Sequence, residues 1–154
     1  MDLFDHIMEL SRYGYFCSQI LAILTLELAG EENPKLVQAM GGLDGGVGYS
    51  KNNCGCLTGG ACLISYFTGK PGDFEAESPE HKGALAEFTQ WFQDEIMADY
   101  GGINCEDIIG TNAAKRVEYC PQIIAATYEK CVEILQDRGL LSSDCFRKGS
   151  FLRL

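Results

Sequence analysis

The chain has 154 residues, 46% of them hydrophobic, and a formal net charge of -10. That is enough for one folded domain with a real core. The acidic balance speaks against nucleic acid and against an anionic membrane surface, both of which need clustered Lys and Arg. The N-terminus, MDLFDHIMEL, has no basic segment ahead of an apolar run, so it does not read as a secretory signal. The longest apolar stretch, Ile20 to Ala29, is interrupted by Thr25 and Glu27 and falls short of the roughly 20 residues that span a bilayer. A cytoplasmic protein is expected.

In chain order, Leu3 to Arg12 reads as an amphipathic helix with Leu3, Ile7, Met8 and Leu10 apolar. Phe16 to Ala29 is apolar almost all round, which predicts a buried central helix with Gly30 as its C-cap. Pro34 suits the first turn of a short helix through Met40. Next comes GGLDGGVGYSKNN, Gly41 to Asn53, a loop whose backbone must adopt positive φ or approach something closely. It lacks the GK[ST] of a phosphate-binding loop, so a tight structural loop around a site is the better reading.

Leu57 to Phe67 reads as a helix despite Gly59 and Gly60, and adjacent glycines there imply close packing of another backbone or a cofactor. Gly69 to Glu80 is an acidic loop. Ala84 to Tyr100 carries Leu85, Phe88, Phe92 and Ile96 at helical spacing, a core stripe. Asn104 is a good N-cap for a short helix, CEDIIG. Pro121 is read as opening the last long helix, to Arg138, with Ile124, Tyr128, Cys131, Val132 and Leu135 on its buried face. No strand and no repeat stands out. The expectation is an all-α, single-domain helical bundle of about five to seven helices. Its domain covers residues 1–139, with a glycine-rich loop at a cysteine site, and residues 140–154 form a C-terminal tail.

Eight cysteines are many for a reducing compartment, where they signal metal, redox chemistry or buried thiols. Cys17, Cys54, Cys105 and Cys120 each fall near a predicted helix N-terminus. There the unpaired N–H groups and the helix dipole favour thiolate over thiol. Cys131 and Cys62 are expected in the core, and Cys145 in the tail. Cys56 either joins the site beside Cys54 or fills space. There is no C-x-x-C, no C-x-x-C-H and no zinc-finger spacing. The two histidines, His6 and His81, read as surface or boundary residues, so hydrolytic Cys–His chemistry is not expected.

With Cys17 in FCSQILAIL, the glycine-rich lead-in GGLDGGVGYS, CGCLTGG at Cys54 to Gly60, NCEDIIG at Cys105 and YCPQII at Cys120, the chain resembles the redox-active proteins named for a C-GCAxxG-C-C cysteine pattern. The resemblance runs roughly from Phe16 to Leu135. Where the pattern has Ala, this chain has Cys56 or Leu57, according to how the motif is aligned. The resemblance implies an all-helical domain with a redox role, often beside oxidoreductases or transporters, with an oxidoreductase as redox partner protein. Similar sequence occurs in a multidomain cytochrome with an iron–sulfur centre, which implies such a cluster as one option here.

Two chemistries fit the leading reading, a small redox protein. In one, Cys17, Cys54, Cys105 and Cys120, with Cys56 beside them, hold an iron–sulfur cluster. In the other, the same four act as redox thiols that cycle between dithiol and disulfide. In either, Gly45, Gly46, Gly48, Gly55, Gly59 and Gly60 allow the backbone to come close to the site. The cluster is given a slight edge. A non-redox zinc protein using the same thiolates, or a helical interaction module with buried thiols, is the alternative. The small-residue helix and the tail SFLRL suggest a homodimer.

Overall fold

The computed structural model describes residues 1–141, and these contain seven α-helices and no strand. Helix α1 is Leu3–Arg12, α2 Cys17–Ala29, α3 Pro34–Met40, α4 Gly55–Thr68, α5 His81–Tyr100, α6 Cys105–Ile109 and α7 Ala113–Asp137. A single 3₁₀ turn, Gly41–Leu43, follows α3. Among the described residues the chain is thus all-α and forms one domain. None of the helices is long and apolar enough to cross a membrane, among the described residues.

The elements begin and end where the local chemistry asks them to. Asp2 caps α1 by accepting the Asp5 N–H at 2.8 Å. Gly30 closes α2 in the left-handed conformation, φ 71°. Asn33 caps α3 and Pro34 occupies its first turn. At α6, Asn104 and Asp107 form a reciprocal capping box, which satisfies two otherwise orphaned N–H groups.

Helix α2 lies at the centre and buries residues on every side, including Ile20, Leu21, Leu24 and Leu28. It packs on α4 through the small face that Gly59 supplies: a Cβ there would lie 3.0 Å from Leu21 Cδ1 and 3.3 Å from Ser18 Cα. On the other side, a Cβ on Gly60 would stand 2.3 Å from Phe88 Cζ and 2.8 Å from Thr127 Cγ2. The two glycines therefore seat α4 between α2, α5 and α7. Their close neighbours are core side chains and the α2 backbone, not the cysteine cavity described below.

The aromatic stripe of α5 is core as expected, but Ala84 rather than Leu85 is the fully buried residue of its first turn. The far end of α7 is tied back to α5 by Arg138, whose guanidinium meets Glu80 at 2.5 Å and Glu87 at 3.0 Å.

Helix α7 differs from the expectation. It starts at Ala113, capped by the Asn112 side chain, and runs straight through Pro121. Proline withholds one N–H from the carbonyl four residues back, here that of Val117. Val117 is 69% exposed, so water can take that carbonyl. The rest of the helix is long enough to carry the missing bond.

The first histidine also departs from expectation. His6 is buried, and its Nε2 lies 3.0 Å from both carboxylate oxygens of Glu27. His81 is half-buried, with Nδ1 2.8 Å from Thr68 Oγ1.

Candidate functional site

Cys17 is the first residue of α2, and Phe16 at the N-cap offers no side-chain cap. The cap comes from the glycine-rich loop instead. Asp44 is 1% exposed, and its Oδ1 accepts the Ser18 N–H at 3.2 Å and the Ser18 hydroxyl at 2.5 Å. To bring Asp44 there, the chain after it turns through a run of left-handed residues. Gly45, Gly46 and Gly48 have φ of 64°, 75° and 59°, and Val47, Tyr49 and Lys51 also have positive φ. Glycine takes this conformation freely, whereas a β-branched residue such as Val47 is strained in it. A Cβ on Gly46 would come within 2.5 Å of the Asn52 backbone, so the loop is folded tightly on itself.

The loop leads into Cys54, the N-cap of α4. Its sulfur accepts the Cys56 N–H at 3.4 Å, and its own N–H donates to the Ile103 carbonyl at 2.9 Å. Asn53 and Asn104 form an isolated antiparallel bridge, and Cys105 N–H donates to the Asn52 carbonyl at 2.7 Å. Main-chain pairing thus sets the starts of α4 and α6 side by side, with Cys54 and Cys105 next to each other. Gly55 completes the approach of α4 to α2, where a Cβ would lie 2.3 Å from the sulfur of Cys17.

A cavity of about 180 Å³ lies where these elements meet. Cys17, Cys54, Cys56, Cys105, Cys120 and Arg116 all line it, and most of the remaining wall is apolar. Gly45 and Gly55 also line it, whereas Gly46, Gly48, Gly59 and Gly60 do not. Folding therefore gathers all four of the dispersed cysteines, with Cys56 as a fifth. Three sit at helix starts. Cys120 does not: it lies well inside α7, because that helix begins at Ala113.

The thiols are not equivalent. The Cys17 thiol is held below its ordinary pKa, chiefly by a hydrogen bond from Cys56 and also by the backbone N–H groups of Gly45 and Ser18. Burial and the Asp44 charge oppose this without overcoming it. Cys56 is pushed well up, first by its hydrogen bonds to Cys17 and Cys54 and then by burial. Burial raises Cys105, helped by the charges of Cys54 and Cys17. Burial also raises Cys120, to about 12. A helix start alone thus does not make a thiolate. Cys105 opens a helix of only five residues and is still raised, while Cys17 is lowered through specific donors.

The remaining cysteines divide. Cys131 is buried in the core, as expected, with its sulfur 3.6 Å from the Gly60 carbonyl. Cys62 is exposed, not core, because it faces outward on α4. Cys145 lies outside the described residues.

Two site residues escape the sequence reading, Asp44 with a faint signal and Arg116 with none. Asp44 is the lone acid in a glycine-rich run, which hints at a structural task for its carboxylate. Arg116 lies on the polar, exposed first turns of α7, where nothing distinguishes it from a solvated cation. In the fold its guanidinium carbon sits 5.2 Å from the centroid of the Phe16 ring.

Four thiols are the right donors in kind for an iron–sulfur cluster or for zinc. Their placement is another matter. Among the described residues, no group of three or more His, Cys, Asp or Glu side chains is arranged so that it could hold a metal ion.

The family model described as putative redox-active protein (C_GCAxxG_C_C) matches residues 15–134. No curated protein and no solved structure shows significant similarity to the chain.

Proposed function

The chain belongs to the C_GCAxxG_C_C family, and from that premise we propose that its cavity is a dithiol–disulfide redox centre with Cys17 as the attacking thiolate. The observation that carries this reading is that half-buried Cys17 and fully buried Cys56 line one cavity, where their interaction lowers Cys17 and raises Cys56. A thiolate attacks disulfides and a thiol does not, so the lowered member of the pair is the nucleophile. The raised member stays protonated until it is needed.

The steps balance. The Cys17 thiolate attacks a substrate disulfide, RS–SR, forms Cys17–S–S–R and releases RS⁻. Cys17 then no longer carries negative charge, so the main cause holding the Cys56 proton is removed, and RS⁻ can take that proton. The Cys56 sulfur attacks the Cys17 sulfur, forms the Cys17–Cys56 disulfide and expels the second thiolate, which gains a proton from solvent. Two protein thiols are oxidised and one disulfide is reduced to two thiols. The reverse direction oxidises a dithiol, and a partner oxidoreductase would reset the centre. Cys54 stands beside Cys56 as a second acceptor of the bridge, and Cys105 and Cys120 supply a protonated, apolar wall.

The test is alkylation with iodoacetamide at graded pH, read by mass spectrometry, with disulfide mapping after oxidation. Cys17 should react fastest, with a midpoint below that of an ordinary thiol, and Cys56→Ala should move that midpoint up. Oxidised protein should contain a Cys17–Cys56 bridge. Slow modification of Cys17, or iron and sulfide retained on Cys17, Cys54, Cys105 and Cys120 in protein purified without oxygen, would overturn the reading.

A further inference from the structure

The described chain is acidic, yet the cavity faces a cation. Arg116 lines it, lowers the burial-raised pKa values of both Cys105 and Cys120, and acts on Asp44 as well. No carboxylate lies within salt-bridge distance of it among the described residues, in contrast to Arg138, which grips Glu80 and Glu87. Its long side chain is instead held against the ring of Phe16, and Tyr49 braces that ring edge-on at 5.6 Å between centroids. A guanidinium fixed over an aromatic face keeps its charge and in-plane donors for another partner. Phe16 directly precedes Cys17, and Arg116 and Cys17 line the same cavity.

We propose that Arg116 selects substrate: it binds a negatively charged group next to the disulfide bond of a small anionic disulfide, and so directs that class to Cys17. This rests on the dithiol reading of the cavity. Three features support it. Arg is suited to paired, planar recognition of carboxylate oxygens. A cavity with apolar walls keeps the local dielectric low, which strengthens attraction between a fixed cation and an incoming anion. The net charge of -10 would otherwise repel anions, so a local reversal of sign at the cavity has a large relative effect.

The test uses three alkyl disulfides that differ in charge: dithiodipropionate, which is dianionic, 2-hydroxyethyl disulfide, which is neutral, and cystamine, which is dicationic; their different leaving-group reactivities cancel when one ratio is compared between variants. The full chain is reacted with each under pseudo-first-order conditions, and Cys17 modification is followed by mass spectrometry. The quantity read is the ratio of the anionic to the cationic rate, in which any change in thiolate fraction cancels. Arg116→Gln is expected to lower that ratio about ten-fold or more, the lower end of typical steering effects. Arg116→Lys should retain an intermediate ratio, and added salt should narrow the difference between wild type and R116Q. The neutral disulfide should react with all three proteins at similar rates. A ratio unchanged by R116Q, with the neutral disulfide still reacting at Cys17, would sink the selection role and leave the dithiol centre standing. Failure of Cys17 to react with the neutral disulfide in wild type would overturn both.

Discussion

A side chain on Gly55 has no place to go, because its Cβ would lie 2.3 Å from the sulfur of Cys17. Gly55→Ala must therefore move that sulfur or part α4 from α2. Overpacking of this kind costs about 1–3 kcal/mol. The more telling effect is on the Cys17–Cys56 hydrogen bond. Breaking it raises the Cys17 pKa toward that of an ordinary thiol, so iodoacetamide labelling at neutral pH should slow while circular dichroism stays helical. Unchanged labelling in a folded variant would mean that Gly55 does not set the position of Cys17.

Asp44 acts on Cys17 in two opposed ways. Its carboxylate caps Ser18 and so holds the start of α2, but its charge makes the neighbouring thiolate less favourable. Asp44→Asn keeps an acceptor for Ser18 and removes the charge. The Cys17 midpoint should fall further, and labelling at mildly acidic pH should speed up. Burial raises the Asp44 pKa despite its hydrogen bonds, so removing the charge should leave the urea midpoint at neutral pH equal or higher. Asp44→Ala should lower it, because Ser18 is left without its acceptor.

The raised thiols make the fold sensitive to alkali. In the unfolded chain Cys120 ionises near its ordinary value, whereas in the fold it holds its proton up to about 12. A group raised in this way contributes stability that is whole below the unfolded pKa and is lost as pH rises through the folded one. Cys56, Cys105 and Cys131 are raised too. Above roughly pH 9, stability should fall as pH rises, by about 1.4 kcal/mol per pH unit for Cys120 until its folded value is reached. Cys17 has the opposite sign: its lowered pKa favours the fold once pH rises past its folded midpoint. Urea midpoints between pH 7 and 11 should show a fall that Cys120→Ala makes shallower. A flat profile would contradict the burial of these thiols as ionisable groups.

Gly60 separates packing from chemistry. A methyl group there would meet Phe88 and Thr127, neither of which lines the cavity. Gly60→Ala should cost about 1–3 kcal/mol in thermal or chemical stability, yet leave the pH profile of Cys17 labelling unchanged. A shifted profile would show that the α4–α5 contact reaches the site.

Much of the architecture is legible where local chemistry and tertiary packing agree. The Leu3–Arg12 helix, the all-round apolar α2 with Gly30 at its end, and the Asn104 cap of α6 are all cases of this kind. The start of α7 was not legible. Pro121 is a plausible first-turn residue, and the segment before it, AAKRVEY, offers no apolar stripe to announce a helix. Asn112 provides the cap, but one Asn among polar residues is a weak signal.

At the site, the glycines and the order of cysteines pointed to the right segments, while the ranking of the thiols stayed hidden. Whether a helix-start cysteine is lowered or raised depends on the donors that reach it. Besides the neighbouring Ser18 N–H, those of Cys17 come from Gly45 and Cys56, residues 28 and 39 positions further along the chain. Arg116 was hidden for the same reason, since only the fold lays it over Phe16.

The short pairing between Asn52–Cys54 and Ile103–Cys105 bears on how such a centre can evolve. Every bond in it is made by main-chain groups, so it is indifferent to the side chains it carries. Cys54 can become Ser, which caps a helix at least as well, and Cys105 can become any residue with an amide hydrogen. The frame therefore tolerates stepwise exchange of its reactive groups. A lineage can gain, lose or reassign thiols around this cavity without having to invent a new scaffold each time.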